Sequence, residues 1–419
     1  MIYSNPDQIG ILACPGGEEF ANKLIARLEK ISVKKIRRKI QALSVKYCLS
    51  RDEVMRLINL NIDQRSTNLN PETPADKFRP ASFKIPAHFT RFANGEFKTE
   101  LLSTVRNIDV YIIQDVENHY PLSFNNDSDK QVLSVNDHIF LLFVTIDAAM
   151  QAGAKRITVV LPAYPYARQH KKKGREGLTA SRLGQILEYL GVARLITLDL
   201  HSKEIENSFK LLRVENLHAS YQILKILSQI EDLQSEDLVI ISPDTGAMDR
   251  NKFFSSSLKK PLGLIYKERD YSRVSYTARD SNITNIRLLG EVKDKIVFMA
   301  DDMLGTGGTI LKAMAALKDR GARRIICAVS LPFFNGPAIE QFEEAYHNSI
   351  LYRVIGTNAV YHDADLLDRE WYLSAEVDDL FARSIFRIHY NLSLSSLMDN
   401  TKIIKDLLEK NSKRSLPER

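Results

Sequence analysis

Short, uninterrupted runs of Val, Ile and Leu recur along this chain and alternate with longer segments of helical periodicity. The predicted strands include Asp109–Gln114, Ile157–Pro162, Leu195–Leu200, Leu238–Pro243 and Ile296–Asp302. A strand that is apolar at almost every position is buried on both faces, as in a parallel sheet covered by helices. The sequence therefore predicts an α/β fold built from mostly parallel sheets flanked by helices.

Amphipathic helices are predicted between these strands, for example at Thr179–Leu190 and Thr309–Asp319. Each ends next to a glycine, Gly191 or Gly321, as helix termini often do. The chain has 419 residues, more than one hydrophobic core usually contains, so we expect two domains. A short internal similarity between residues 153–162 and 321–332 gives modest support to two related domains.

The predicted domain organisation has four parts. They are an N-terminal domain over residues 1–212, a C-terminal domain over 213–375, a return segment over 376–400 that packs on the N-terminal domain, and a charged helical tail over 401–419. Two insertions are predicted in the N-terminal domain, a helical one at about 33–82 and a polar, flexible loop at about 117–135. In the first, Ser50 and Glu53 have the spacing of a capping box that opens a helix.

Composition excludes several classes of protein. With 44% hydrophobic and 26% charged residues the chain resembles an ordinary globular protein, and its three scattered cysteines indicate neither a disulfide framework nor a zinc site. No apolar run is long enough to span a bilayer, and the first residues lack the pattern of a secretory signal. We therefore expect a cytoplasmic protein that does not bind membranes.

The positive charge of the chain allows two interpretations. The net charge of +6 suits anionic small molecules as well as nucleic acid. A basic run at Lys34–Lys39 lies in the first predicted insertion. A solvated helix face is the favoured interpretation of this run, and nucleic-acid binding is the alternative.

The most informative motif is Val297–Thr309, where an apolar strand leads into two adjacent carboxylates and then into a Thr-Gly-Gly-Thr loop that opens a helix. Glycines allow backbone amides to approach a phosphate, and the helix N-terminus favours an anion. Two neighbouring carboxylates suit the vicinal hydroxyls of a sugar or a hydrated magnesium ion. The motif therefore predicts a sugar-phosphate site, against the simpler possibility of a tight turn with acidic helix caps.

This segment resembles the phosphoribosyl pyrophosphate loop of type I phosphoribosyltransferases and of ribose-phosphate pyrophosphokinases. Further segments have the order and approximate spacing of the pyrophosphokinase family: Phe92–Glu96, Tyr166–Gln169, Asp199–His201, Ser242–Asp244 and Lys267–Arg269. The resemblance covers roughly residues 88–398, together with a strand and a helix before Ser32. It implies two similar phosphoribosyltransferase-like domains and the synthesis of phosphoribosyl pyrophosphate from MgATP and ribose 5-phosphate.

The resemblance also implies roles for individual residues. It places the adenine of ATP on Phe92, Asn94 and Glu96 of a neighbouring subunit. It implies that Arg168 and Gln169 contact the nucleotide, and that His201 and Asp244 bind Mg²⁺. It assigns catalysis to Lys267 and Arg269, on a mobile flap, together with His201. The residues implied to bind the sugar phosphate are Asp301, Asp302, Thr306, Gly307, Gly308 and Thr309. It further implies dimers that assemble into a hexamer, and a possible allosteric anion site at Thr104, Arg106, Ser393 and Ser395.

Three positions depart from the family pattern. Gly305 replaces a third acidic residue of the loop, His170 replaces the usual aspartate after Arg168 and Gln169, and Thr245 with Ala247 changes the run after Asp244. We expect an active enzyme, because the paired aspartates and the flap cations are intact. A noncatalytic regulatory member of the family and a type I phosphoribosyltransferase remain as alternatives.

Overall fold

The computed structural model of the protein describes residues 9–54, 83–172, 174–269 and 283–411. Its strands are β1 (Ile9–Ala13), β2 (Ala87–Arg91), β3 (Phe97–Leu101), β4 (Asp109–Ile113), β5 (Leu122–Phe124), β6 (Asp127–Gln131), β7 (Arg156–Val160), β8 (Arg194–Leu198), β9 (Arg213–Leu217), β10 (Leu238–Ser242), β11 (Leu262–Arg269), β12 (Ile283–Leu289), β13 (Ile296–Leu304), β14 (Arg324–Pro332), β15 (Arg353–Thr357) and β16 (Tyr372–Ala375). Its helices are α1 (Glu18–Tyr47), α2 (Val135–Gln151), α3 (Thr179–Tyr189), α4 (Ser220–Ile230), α5 (Met248–Leu258), α6 (Gly308–Asp319), α7 (Ala338–His347), α8 (Ala364–Leu367), α9 (Asp378–His389), α10 (Ser395–Met398) and α11 (Thr401–Asn411).

Two large sheets organise the described residues. The first has the strand order β1-β4-β7-β8-β9, and every pair in it is parallel. The second has the order β12-β11-β10-β13-β14-β15-β16 and is parallel except for the pair β11 and β12. The α/β class with mostly parallel sheets, predicted from the apolar runs, is confirmed.

The apolar runs form the centre of each sheet because both of their faces are covered. Every residue of β4 and β10 is buried, as is almost every residue of β7, β8, β13 and β14. The buried side chains form two hydrophobic clusters, one of which extends from the first sheet into the second. Fixed strands in a packed core give the loops at their carboxyl ends a rigid support.

The C-terminal segment returns to the first sheet. Helix α9 packs against α1, with the rings of Phe20 and Phe381 edge to face at 5.2 Å. Arg27 Nε donates to the buried carboxylate of Asp378 at 2.6 Å. Helix α11 continues from there and packs against α4 and α5, and residues 412–419 lie outside the described residues.

The border between the two sheets differs from the predicted one at 212/213. Strand β9 pairs with β8 along its full length and so belongs to the first sheet, although its sequence was assigned to the C-terminal domain. The following helix, α4, packs against β15 and β16 of the second sheet. The chain therefore crosses between sheets after Leu217, because β9 completes the edge of the first sheet before the crossing.

The prediction of a flexible loop at 117–135 was wrong for its central part. Strands β5 and β6 form an antiparallel hairpin there, and Phe124 and Leu133 are buried. The polar composition that suggested a loop reflects strands only three and five residues long that lie at the surface.

The first predicted insertion, at 33–82, begins inside a helix. Helix α1 runs without interruption through Val33 to Tyr47, and Lys34, Lys35, Arg37 and Arg38 of the basic run are exposed on it. The predicted capping box is confirmed, since Ser50 N donates to Glu53 Oε2 at 2.8 Å and Glu53 N donates to Ser50 Oγ at 3.2 Å. Residues 55–82 lie outside the described residues.

The carboxyl ends of the strands of the two sheets face each other. Contacts across this border join Asp199, after β8, to Ser330 of β14, and His201 to Asp302 of β13. In parallel sheets this edge is where ligands bind. Over the described ranges, no helix combines the length and apolar character needed to cross a bilayer.

Candidate functional site

A cavity of about 990 Å³ lies between the carboxyl edges of the two sheets. Its lining includes most of the residues predicted to bind substrate and metal, contributed by four different strand ends. The predicted residues in this lining are Arg168, His201, Asp244, Asp301, Asp302, Thr306, Gly307, Gly308 and Thr309. Residues up to 141 positions apart in the sequence, such as Arg168 and Thr309, therefore meet in one place, as the strand topology requires.

The phosphate-binding loop predicted at Val297–Thr309 connects β13 to α6. Gly307 has φ +73, and a Cβ at this position would come within 2.3 Å of the Phe342 ring. Only glycine satisfies both the positive φ and the close contact. The helix begins at Gly308, so the first backbone N–H groups, which lack partners within a helix, lie beside the cavity. This geometry suits an anion such as a phosphate.

The two adjacent carboxylates at the end of β13 have opposite pKa shifts. Burial, together with the charge of Asp302, raises the pKa of Asp301 to about 7. Burial also acts on Asp302, but hydrogen bonding and attraction to His201, with the charge of Arg250, lower its pKa below the ordinary value. At neutral pH, Asp302 carries a full negative charge and Asp301 is partly protonated.

His201 meets these carboxylates from the first sheet. Its Nδ1 lies 2.5 Å from Asp302 Oδ2, so only its Nε2 can face another ligand. The ring of His170, one of the departures from the family pattern, lies edge to face against His201 with centroids 5.2 Å apart. The substitution of an aspartate by His170 thus places a second imidazole next to the site and removes a negative charge from it.

Asp199 is a buried acid that the sequence interpretation did not assign a structural role. It accepts hydrogen bonds from Ala219 N at 3.1 Å and Ser330 Oγ at 2.5 Å, and His218 Nδ1 lies 2.9 Å away. Arg250 is also within 3.2 Å. Burial opposes its charge, but Arg250 and His218 outweigh this and lower the pKa of Asp199. Asp199 therefore joins the two sheets through an ionised carboxylate.

Arg250 supplies the cation that balances this acidic region. Burial disfavours its charge, but the carboxylates of Asp199, Asp302 and Asp301 outweigh that effect and raise its pKa. It also donates to Ser330 Oγ at 3.0 Å. Arg250 lies on the first turn of α5, six residues after Asp244. This closeness in sequence to a predicted site residue is the signal that could have identified Arg250 as part of the site.

Asn251, the next residue, was also missed, and it fixes the strand that carries the paired acids. Its Nδ2 donates to Ala300 O at 2.8 Å, and Ala300 N donates to its Oδ1 at 2.9 Å. The direct pairing of β10 with β13 ends at Ile240 and Phe298, so the Asn251 amide binds the backbone of Ala300 beyond the last strand pair. Asn251 is fully buried and holds the residue immediately before Asp301.

Replacing Asn251 by leucine should lower turnover by about 10²-fold. The substitution would shift Ala300 and with it Asp301, and a small shift of a group that positions the substrate lowers the rate by about that factor. The Ala300 N–H and C=O lose their partners, at about 1–3 kcal/mol for each buried group. Asn411 is a matched control, because its amide also binds backbone at both ends, Leu233 N and Ser228 O. Asn411→Leu should destabilise the protein in thermal unfolding while leaving the rate constant of the folded enzyme unchanged. Equal loss of rate in both variants would contradict a positioning role for Asn251.

Four other residues that the sequence analysis named lie in the loops at this edge. Asp244 follows β10, and its Oδ1 accepts from Ala247 N at 3.0 Å, which shapes the turn into α5. Arg168 lines the cavity, whereas its neighbour Gln169 is exposed outside the lining. Gly305 lies inside the lining, and the nearest atom to a Cβ added there is Asn335 Oδ1 at 3.6 Å, so the missing acidic side chain is not excluded by crowding.

The side chains of Lys267 and Arg269 lie outside what the structure describes, but their backbone is part of β11. These residues belong to the end of an eight-residue strand, and not to a segment after a short strand as predicted. Leu264 of β11 is level with Ser242 of β10, so Lys267 lies beyond the carboxyl end of β10. Strands β11 and β13 flank β10, which separates them by about 10 Å. Lys267 and Asp301 therefore share one edge of one sheet.

The remaining predicted residues do not belong to the cavity lining. Phe92, Asn94 and Glu96 form the turn between β2 and β3, and Phe92 is 45% exposed. Thr104 and Arg106 precede β4, where Arg106 N donates to Thr104 Oγ1 at 3.4 Å. Ser393 and Ser395 lie next to α10, with their hydroxyls 2.6 Å apart. The two halves of the predicted anion site are in separate segments of the chain.

The carboxylate oxygens at the cavity suit a hard cation. No group of three or more His, Cys, Asp or Glu side chains arranged for a metal is found among the described residues. Mg²⁺ does not require such a group, since it keeps several waters and is bound by one or two carboxylates together with substrate phosphates. Asp244 supplies such a carboxylate, and Nε2 of His201 is a nitrogen donor in the same lining.

Family models match two parts of the chain. Residues 82–191 match the N-terminal domain of ribose phosphate pyrophosphokinase, and residues 212–362 match the phosphoribosyl transferase domain. The chain is 33% identical to ribose-phosphate pyrophosphokinase A of Dictyostelium discoideum over 317 residues, which cover 75% of this chain and 90% of that protein. It is 32% identical to the ribose-phosphate pyrophosphokinase of Listeria ivanovii over 339 residues, 80% of this chain and 96% of that protein.

Among solved structures, the phosphoribosylpyrophosphate synthetase of Mycobacterium smegmatis has a similar fold. The TM-score is 0.65 at 24% sequence identity, and the match covers 92% of this chain and all of that one. The likeness supports two phosphoribosyltransferase-like domains.

Proposed function

Because this chain belongs to the ribose-phosphate pyrophosphokinase family, we propose that it transfers the β,γ-diphosphate of MgATP to the anomeric hydroxyl of ribose 5-phosphate. The products are 5-phosphoribosyl 1-pyrophosphate and AMP. The observation that carries this proposal is the convergence of the paired acids, the glycine-threonine loop and His201 on one cavity between the sheets.

Ribose 5-phosphate binds at the end of β13. The backbone amides of Gly307, Gly308 and Thr309 at the start of α6 bind the 5-phosphate, and the hydroxyls of Thr306 and Thr309 add donors. Asp301 and Asp302 accept hydrogen bonds from the ribose hydroxyls. The ionised Asp302 is held in place by His201, so it meets the sugar already oriented.

The nucleotide binds on the opposite side of the cavity. Arg168, in the loop after β7, and its neighbour Gln169 contact the nucleotide and its phosphates. The base stacks on Phe92 and hydrogen-bonds to Asn94 and Glu96 of a neighbouring subunit. The exposure of Phe92 and its absence from the cavity lining of its own chain support this sharing. It requires a homo-oligomer, for which dimers assembled into a hexamer are the proposed state.

Magnesium would be held by Asp244 and His201 together with the phosphates of ATP. It supplies charge neutralisation on the transferring group. Asp244 faces the cavity at the carboxyl end of β10, next to the strand that carries Asp301.

Catalysis rests on position and charge. The anomeric oxygen attacks the β-phosphorus, the bond from that phosphorus to the α,β-bridging oxygen breaks, and AMP leaves with the electron pair; the anomeric proton is lost. Such a transition state spreads negative charge over its equatorial oxygens. Lys267 and Arg269, at the end of β11, close over the β-phosphate and balance this charge.

No covalent intermediate is part of this mechanism. Orienting two bound substrates for direct displacement contributes several kcal/mol, roughly 7–11 in well-oriented systems. The loss of an acid at Gly305 and at His170 reduces negative charge around the loop but leaves every group named above in place. We therefore propose an active enzyme. From the resemblance to the family we also propose a cytoplasmic location and a possible allosteric anion site at Thr104, Arg106, Ser393 and Ser395.

The test is the release of AMP by the purified protein incubated with MgATP and ribose 5-phosphate. We expect AMP only when both substrates and Mg²⁺ are present. A noncatalytic regulatory subunit would release no AMP, and a type I phosphoribosyltransferase would release pyrophosphate only with a base and without any need for ATP. Either result would contradict the proposal.

A further inference from the structure

The turn that carries Phe92, Asn94 and Glu96 belongs to a small two-stranded sheet, β2 and β3, called here the nucleotide hairpin. Within the turn, Phe92 N donates to Glu96 O at 2.8 Å and Gly95 N donates to Phe92 O at 2.8 Å. Two-stranded hairpins are marginally stable when isolated. A turn that must reach another subunit in a defined position therefore needs support from elsewhere in its own chain.

The second insertion supplies contacts of that kind. Its strands β5 and β6, called here the insertion hairpin, have Asn125 and Asn126 at their turn. Asn125 N donates to Phe89 O at 2.9 Å, and Phe89 N donates to Asn125 Oδ1 at 2.7 Å. Two residues further along β2, Arg91 N donates to Asn126 Oδ1 at 3.1 Å, and Asn126 Nδ2 donates to Arg91 O at 2.9 Å.

These four bonds occupy the free edge of β2. In an antiparallel pair, alternate residues direct their N–H and C=O groups away from the partner strand. Phe89 and Arg91 are such residues here, and the asparagines bind them as a further strand would. An open strand edge is otherwise exposed to solvent or to pairing with other chains. The insertion hairpin thus fixes the backbone of β2 up to the residue before Phe92.

Side chains reinforce the same contact. The rings of Phe97, at the start of β3, and Phe124, in β5, are stacked with centroids 5.9 Å apart. Arg91 Nη1 donates to Gln131 Oε1 of β6. Both ends of the turn at 92–96 are therefore held by the insertion hairpin.

The insertion is itself anchored in the body of the protein. Asn118 is buried and its Nδ2 donates to Gly16 O at 3.0 Å, while Tyr120 Oη lies 3.2 Å from Nδ1 of His362, which follows β15 of the second sheet. At the other end, Ser134 and Asp137 form a capping box that starts α2. The insertion hairpin is therefore anchored on both sides in the sequence and is not a free loop.

We infer that the insertion hairpin positions the nucleotide hairpin, and that Asn125 and Asn126 set the affinity for ATP without touching it. This inference rests on the proposed role of Phe92, Asn94 and Glu96 in binding the base. It predicts a change in the Michaelis constant for ATP alone, because ribose 5-phosphate binds at a separate strand end. A general loss of folding would instead affect both substrates.

The experiment measures steady-state constants for both substrates with the full-length protein. Asn125→Ala/Asn126→Ala should raise KM for ATP about tenfold, the cost of ordering one or two side chains and their turn on binding. KM for ribose 5-phosphate should stay within about twofold of the wild-type value. The control is Asn348→Ala, an exposed asparagine at the end of α7, which should change neither constant.

Conservative variants test whether the effect comes from the hydrogen bonds to β2. Asn125 binds Phe89 through its side-chain oxygen, which aspartate retains, so Asn125→Asp should keep KM for ATP near the wild-type value. Asn126 uses both ends of its amide, so Asn126→Asp should raise KM for ATP. Phe92→Ala tests the proposed function separately. If it leaves KM for ATP unchanged, the adenine role and the inference both fail; if it raises KM while the double asparagine variant does not, only the inference fails.

Discussion

The double variant Asp301→Asn/Asp302→Asn is expected to lose turnover by a factor of about 10³ or more while keeping its fold. Asparagine has the same shape as aspartate but lacks the charge and the second acceptor that orient the ribose hydroxyls. It also weakens the contact of Asp302 with His201. The measurement is AMP release under saturating substrates, with circular dichroism to follow the fold. Asp368→Asn, at an exposed position after α8, is the matched control. Full activity in the double variant would remove these acids from sugar binding.

The stability of the single variant Asp301→Asn gives an independent check. The folded-state pKa of Asp301 is about 7, above the ordinary 3.8. A raised pKa in an acid means that the native state loses stability as the pH rises from about 4 to about 7, since its proton must be removed at a cost. Asparagine does not ionise, so the variant does not lose this stability. The melting temperature of the variant minus that of wild type, measured without divalent metal, should therefore be larger at pH 8 than at pH 4. If the melting temperatures of variant and wild type differed by the same amount at both pH values, the raised pKa of Asp301 would be contradicted.

Lys267→Ala is expected to lower kcat by about 10³-fold, because phosphoryl-type transfer depends on cations that balance the charge of the transition state. ATP binding should change far less, since the contact forms mainly in the transition state. Single-turnover rates and ATP binding measured separately test this split. Lys225→Ala, on an exposed position of α4, is the control for loss of one positive charge. An unchanged rate in Lys267→Ala would mean that the assignment of β11 to the reaction is wrong.

The sequence was most informative where burial determines structure. Runs such as Leu238–Ser242 are apolar at nearly every position, so their strands and the parallel sheets were predictable. The strands at the edges of the sheets were less predictable. Strand β9 is only partly buried, β5 is only three residues long and β6 is polar, so none of the three has the pattern of a central strand.

The site was predictable in its motifs but not in its supporting contacts. Asp301, His201 and Asp244 lie in recognisable segments at strand ends, and the fold brings them to one cavity. Asn251 acts through the backbone of Ala300, and Asp199 through Ser330, a residue 131 positions away. No local pattern encodes such partners, because they depend on how the two sheets face each other.

The most direct test of the proposed reaction uses ATP labelled at the β-phosphorus, together with ribose 5-phosphate and Mg²⁺. We expect the label to appear in 5-phosphoribosyl 1-pyrophosphate, with an equal amount of unlabelled AMP and no ADP. Label retained in ADP would show transfer of a single phosphate, and the absence of any labelled sugar product would show that the cavity does not join these two substrates.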